Sequence, residues 1–152
     1  MSDSYRDLIV WQKAMSLVVS IYRSTAEYPR EERFGLTAQT RGSAVSIPSN
    51  IAEGHGRLGR REWEQFLGYA RGSLLELETQ VILGKRLQFL DDATASGLLA
   101  RTAEIGSMLN GLLASIARRQ PRKSFSLQRP KTRDETSRPT ENQPIPKESR
   151  DD

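Results

Sequence analysis

Along most of the chain apolar residues return every three or four positions, and no run alternates with the period of two that a half-buried strand requires. The spacing predicts a first helix that begins between Asp7 and Trp11 and runs to about Tyr28, where Pro29 stops it. Its apolar positions fall in two adjacent columns, Val10, Ala14, Leu17, Ile21 and Trp11, Met15, Val18, Tyr22. That face is wider than the roughly 100° stripe of a surface helix, so this helix needs partners on two sides. A second helix is predicted from about Glu32 to Glu53, ending at Gly54, with Leu36, Thr40, Ala44, Ile47 and Ile51 on one face. Pro48 falls inside it. A proline there removes one donor and presses on the carbonyl of Ala44. A bend is expected, costing ~3 kcal/mol unless packing or the hydroxyls of Ser43, Ser46 or Ser49 offset it.

The third helix is expected from near Arg60 to about Leu87, on the apolar series Trp63, Phe66, Leu67, Ala70, Leu74, Leu77, Val81. Glu62 and Glu64 lie in its first turns, where the helix dipole favours negative charge. Asp91 or Asp92 then caps a fourth helix, whose Leu98, Thr102, Ile105, Leu109, Leu112 and Ile116 form two columns of a seven-residue repeat. Four helices of ~20 to 28 residues with short connections fit an all-α, antiparallel up-down-up-down four-helix bundle.

The chain has 152 residues, the size of one ordinary domain. From Gln120 to Asp152, Pro121, Pro130, Pro139, Pro144 and Pro146 stand among Ser, Thr, Arg and Glu, which reads as a disordered tail. The expected organisation is a bundle over residues 1–119 and a tail over 120–152. No stretch approaches the ~18 apolar residues of a membrane span, and Gln12 and Lys13 interrupt the best candidate. A soluble, cytoplasmic protein is expected.

Cysteine is absent and His55 is the single histidine, which removes thiolate and His-based metal sites and Cys or His-pair catalysis. Glu53, Glu76, Glu78 and Glu104 lack the Glu-x-x-His partners of a carboxylate-bridged metal pair, and Ser43, Ser46, Ser49 and Ser73 have no evident base. Gly54-His55-Gly56-Arg57-Leu58-Gly59 spells the dinucleotide fingerprint, but a helix rather than a strand precedes it. His55 therefore reads as a loop residue. No enzyme, cofactor, metal or small-molecule substrate is expected.

Net charge is +4; the tail holds eight Lys/Arg and six Asp/Glu, so body and tail carry +2 each. An up-down-up-down bundle brings the chain start, the turn between helices two and three, and the end of helix four to one end. That end gathers Arg6, Arg57, Arg60, Arg61, Arg118, Arg119, Arg122 and Lys123 against Asp3, Asp7, Glu53, Glu62 and Glu64, whereas the opposite end balances. Arg57, Arg60, Arg61, Arg118, Arg119, Arg122 and Lys123 are the candidate contacts to a phosphate backbone. The competing reading is a glycine-rich turn with solvated arginines, in a protein-interaction scaffold whose charge is incidental.

Four segments carry a resemblance: Leu8-Ile9-Val10-Trp11-Gln12-Lys13-Ala14, Phe34-Gly35-Leu36-Thr37, Ser46-Ile47-Pro48-Ser49-Asn50-Ile51-Ala52-Glu53-Gly54 and Ala70-Arg71-Gly72-Ser73-Leu74-Leu75-Glu76-Leu77-Glu78-Thr79-Gln80. In that order they resemble the bacterial four-helix-bundle family first noted as reading frames in intervening sequences of 23S ribosomal RNA genes. The chain is also similar to the accessory variability determinant of diversity-generating retroelements. The resemblance implies a homopentameric ring without catalytic residues, and association with RNA or DNA and with a reverse transcriptase. It makes Pro48, Asn50, Glu53, Gly54, Arg71, Gly72, Ser73, Glu76 and Glu78 structural motif positions, with Gly72 and Ser73 expected where helices approach closely. Where the family carries a Ser or Thr cap before its third helix, this chain has Gly59-Arg60, a weaker cap and a more basic turn. A neighbouring protomer would then cover the second apolar column of helix one.

Overall fold

The computed structural model describes residues 4–119 and contains four long helices, α1 (Ile9–Thr25), α2 (Leu36–His55), α3 (Arg60–Arg86) and α4 (Asp92–Arg118), with no strand among the described residues. Each helix buries the stripe that its spacing marks. Val10, Ala14, Leu17 and Ile21 of α1 meet Ala44, Ile47 and Ile51 of α2, Leu67, Leu74, Leu77 and Val81 of α3, and Leu98, Ile105 and Leu109 of α4 in one core. Burying a side chain of this kind stabilises the fold by ~1.5–3 kcal/mol.

Neighbouring helices run antiparallel. Ser46 Oγ lies 2.8 Å from Ser73 Oγ, while Gly54, farther along α2, sits under Trp63 and Phe66, earlier along α3. Arg101 of α4 donates to the hydroxyls of Ser20 (2.6 Å) and Ser16 (3.1 Å), and Glu104 pairs with Lys13 at 2.7 Å. Arg41 of α2 donates to Thr25 Oγ1 at the end of α1, and Gly106 of α4 packs on Leu74 of α3. The backbones of α1 and α3, and of α2 and α4, make no close approach, so those pairs are diagonal and the bundle is up-down-up-down.

Several element ends differ from expectation. The first helix stops at Thr25 rather than Tyr28, because Tyr28 turns inward to pack on Phe89 and Gly84. The second starts at Leu36 rather than Glu32: a 3-10 turn, Arg30–Glu32, intervenes, and the Glu32 carboxylate accepts the Leu36 N–H at 2.9 Å. Gly35 is the N-cap position, and Glu32, four residues before Leu36, satisfies the first helical N–H instead of being the first helical residue. At its other end α2 continues through Gly54 to His55.

Pro48 lies inside α2, as the sequence requires, and is buried. The serines do not reach the Ala44 carbonyl: Ser43 donates to Gln39 O, Ser49 to Val45 O, and Ser46 turns to Ser73. Asn50 holds this turn from the other side, its Nδ2 donating to Ser46 O (2.8 Å) and Oγ (2.9 Å). Core packing around Ile47 and Ile51 is what carries the proline.

The α3–α4 connection is a Schellman turn. Phe89 N–H donates to Gly84 O (2.8 Å), Gln88 N–H to Lys85 O (3.0 Å), and Gln88 takes the left-handed φ of 62° usually left to glycine. Asp91 then caps α4 by accepting the Thr94 N–H at 2.6 Å. That bond holds its carboxyl below the usual range. No described helix is long and apolar enough to cross a membrane.

Candidate nucleic-acid interface

The α2–α3 turn is built by glycine at close quarters. A Cβ on Gly54 would meet Phe66 Cβ at 2.5 Å and Trp63 Cε3 at 2.8 Å, so only glycine lets α3 fold back this tightly. The His55 ring stands edge-on to Trp63, 5.7 Å between centroids. It is the last residue of α2 rather than a loop residue, and its surroundings are aromatic, not ligating. Among the described residues no three His, Cys, Asp or Glu side chains gather as metal ligands.

Arg57 is committed locally. Its Nη2 donates to Glu53 Oε1 at 2.8 Å and its guanidinium lies 5.3 Å from the Phe66 ring centre. Arg60 and Arg61 open α3 behind Gly59, which offers no side-chain cap, and both are exposed. Because α3 and α4 run antiparallel, Arg118 and Arg119 at the end of α4 project from the same pole, also exposed. The chain start joins them there, since Tyr5 lines a groove with Ala52 near the end of α2.

Among the described residues this pole holds six arginines, Arg6, Arg57, Arg60, Arg61, Arg118 and Arg119, against Asp7, Glu53, Glu62 and Glu64. The ion pairs among the described residues are Lys13–Glu104, Arg57–Glu53 and Lys85–Asp92, so Arg60, Arg61, Arg118 and Arg119 have no carboxylate partner there. Arg122 and Lys123 lie outside the described residues. At the opposite pole Arg30, Arg33, Lys85 and Arg86 face Glu31, Glu32, Asp91 and Asp92 in equal number.

The motif positions divide. Asn50, Gly54 and Ser73 sit in the α2–α3 seam, Pro48 lines a groove against α1, and Glu53 holds Arg57. Gly72 does not mark a close approach: it is exposed and a Cβ there would touch nothing. The glycines most tightly covered by side chains of another element are Gly54 and Gly84, the latter beneath the Tyr28 hydroxyl and Leu90, while Gly106 meets Leu74 less closely. Periodicity could have singled out both, since each falls on the buried stripe of its helix. Arg71 and Glu76 are exposed, and Glu78 is half-buried.

Residues 6–111 match the family model described as 23S rRNA-intervening sequence protein. Among solved structures, the chain is similar to a protein with unknown function from the S23 ribosomal protein family of Bacteroides thetaiotaomicron VPI-5482. The likeness has a TM-score of 0.63 at 21% identity and covers 69% of this chain and 98% of that one. It concerns the fold. A comparison with curated proteins returns no match.

Proposed function

The chain belongs to the 23S rRNA-intervening sequence protein family, and from that premise we propose that it is a non-enzymatic, self-associating bundle that binds RNA or DNA through its arginine pole. The observation that carries the reading is the group Arg60, Arg61, Arg118 and Arg119, exposed at one end without carboxylate partners among the described residues. Such a group meets phosphates at little cost, since no existing ion pair has to be broken first. Two of the four cations open α3, where the helix dipole adds positive potential. Arg122 and Lys123 extend the same charge along the sequence. A reverse transcriptase is the partner that the likeness to retroelement accessory proteins suggests.

Self-association is supported by α1. Its second apolar column is left partly uncovered by the bundle, with Met15 and Tyr22 exposed and Trp11 and Val18 half-buried. A homopentamer is the form expected from the family resemblance. Light scattering on a size-exclusion column tests this, and a monomer at micromolar concentration overturns it.

A salt-titrated gel shift tests the pole. Binding weakens steeply as salt rises, and Arg60→Gln with Arg61→Gln lowers the log–log slope by about 0.7–0.9 for each cation removed. The pair Lys85→Gln and Arg86→Gln at the other pole leaves it unchanged. Absence of binding at low salt favours the scaffold reading, in which the same apolar faces serve protein contacts.

A further inference from the structure

The turn between α2 and α3 inverts the usual order of burial. Its cation turns inward and its leucine outward: Arg57 lies 5.3 Å from the centre of the Phe66 ring and donates to Glu53 at 2.8 Å, while Leu58 beside it is fully exposed. No other large apolar side chain among the described residues is as exposed. The rings nearest in the fold are already engaged, Phe66 by Arg57 and Trp63 by His55. The backbone of the turn is held in place. Gly56 N–H donates to Ala52 O (3.1 Å) and Arg57 N–H to Gly54 O (3.2 Å), with Gly54 itself wedged under Trp63 and Phe66.

Gly56 and Gly59 bring no side chains to this tip, which leaves Leu58 between Arg57 on one side and Arg60 and Arg61 on the other. The carboxylates of the same stretch are Glu53, which holds Arg57, and Glu62, which lies against Gly59 at the start of α3. Arg60 and Arg61 are left to meet a polyanion. A protruding aliphatic side chain among cations suits double-helical DNA, where an apolar wedge enters from the minor groove, parts two stacked base pairs and kinks the duplex. A single strand is held instead by stacking its bases on free aromatic faces. The rings of this pole are not free, since Tyr5 packs on Trp11, His55 on Trp63, and Phe66 carries Arg57. Tyr69, half exposed, packs on Phe66 and stands about two and a half turns along α3 from Arg60. Duplex RNA is read by shape and by its 2′-hydroxyls across a shallow groove, which gives a leucine little to do.

We propose that Leu58 is a wedge that inserts between base pairs from the minor groove of double-helical DNA, with Arg60 and Arg61 on the flanking phosphates. The proposal rests on the arginine-pole reading above and names its substrate class and mode of binding. Insertion costs least where a pyrimidine precedes a purine, so duplexes with a central TA step are the preferred ligands.

The test titrates the full-length protein and its Leu58→Ala variant, at low salt, onto a DNA duplex with a fluorescent aminopurine in place of the adenine of a central TA step. Anisotropy of an end label reports binding, and aminopurine emission reports unstacking. The parent is expected to raise the emission at saturation. Leu58→Ala binds about tenfold more weakly and leaves the emission low even when saturating. Its salt slope equals the parent's, because no cation is lost. Leu58→Met restores the emission. Nothing in the fold covers Leu58, so these variants keep the parent's helical circular dichroism. If the parent binds the duplex without raising the emission, or if Leu58→Ala raises it equally, the wedge is wrong although the pole reading stands. Leu58-dependent binding to a single strand or to phosphatidylserine vesicles, without unstacking of the duplex, overturns the wedge in the same way. A parent that binds neither DNA nor RNA at low salt overturns the pole reading itself.

Discussion

Each pole of the bundle is closed by a buried glycine beneath aromatic side chains, and the two closures differ in what stands above the glycine. At Gly54 the nearest atom is Phe66 Cβ, rooted in the backbone of α3. At Gly84 it is the tip of the Tyr28 side chain. The first closure fixes how closely two helix backbones approach, whereas the second is a plug that can be shortened. The poles differ in charge in the same sense: the rigid turn displays unpaired arginines, and the plugged end is balanced. A fixed backbone is the better platform for aiming exposed cations at a phosphate chain.

Replacing Gly54 by Ala should produce the largest effect, a loss of about 1–3 kcal/mol in chemical denaturation, because neither the Phe66 Cβ nor the Trp63 ring can withdraw without moving α3. Gly84→Ala should cost less, about 1 kcal/mol, and most of that loss should disappear in a Tyr28→Phe background, which removes the atom nearest the new methyl. A double-mutant cycle measures the coupling, and equal losses in both backgrounds would remove the distinction between the poles. Gln88→Gly should stabilise the plugged end by about 1 kcal/mol, since the φ of 62° is free of strain for glycine.

The smaller effects concern titration. Burial pushes the Tyr28 phenol above its ordinary value of 10.0, and its hydroxyl has no hydrogen-bond partner. A raised folded value means stability that is complete below that ordinary value and lost as pH rises through the folded one. Tyr28→Phe should therefore be neutral or stabilising at pH 7 and should flatten the alkaline fall in melting temperature. Asp91 has the opposite sign. Its carboxylate is held below the ordinary 3.8 by the Thr94 N–H, so its contribution is present above that value and lost as pH falls through the folded one. Asp91→Ala should lower the melting temperature slightly at neutral pH, and the gap should close in acid.

Much of this was legible in the sequence. The apolar spacing names a buried stripe on every helix, because the 3.6-residue period is a property of the backbone, but on α1 it also names a column that the bundle leaves partly open. The Asp91 cap and the internal Pro48 were equally readable. Element ends were not: the first helix stops early because Tyr28 is needed elsewhere, and the second starts late because Glu32 closes a 3-10 turn and gives its carboxylate to the Leu36 N–H. In the sequence Gly54 marks a helix stop, and in the structure it is a contact. A glycine near a helix end fits both roles, and only the position of α3 decides between them. For the candidate site, the cations were visible in the sequence and their availability was not. Arg57 is drawn to Glu53 and Phe66, while Arg60 and Arg61 are left exposed.

By itself, then, the sequence determined the helices, their apolar faces and their order around the bundle, since periodicity and short connections act locally. Tertiary structure decided which glycines bear close contacts, with Gly54 and Gly84 buried under aromatic side chains and Gly72 left in solvent. It also decided which of the two apolar columns of α1 is buried and which is left partly open. Both columns are equally apolar in the sequence. A four-helix bundle has room inside for one of them, and the position of α2 leaves the other as the wall of a groove.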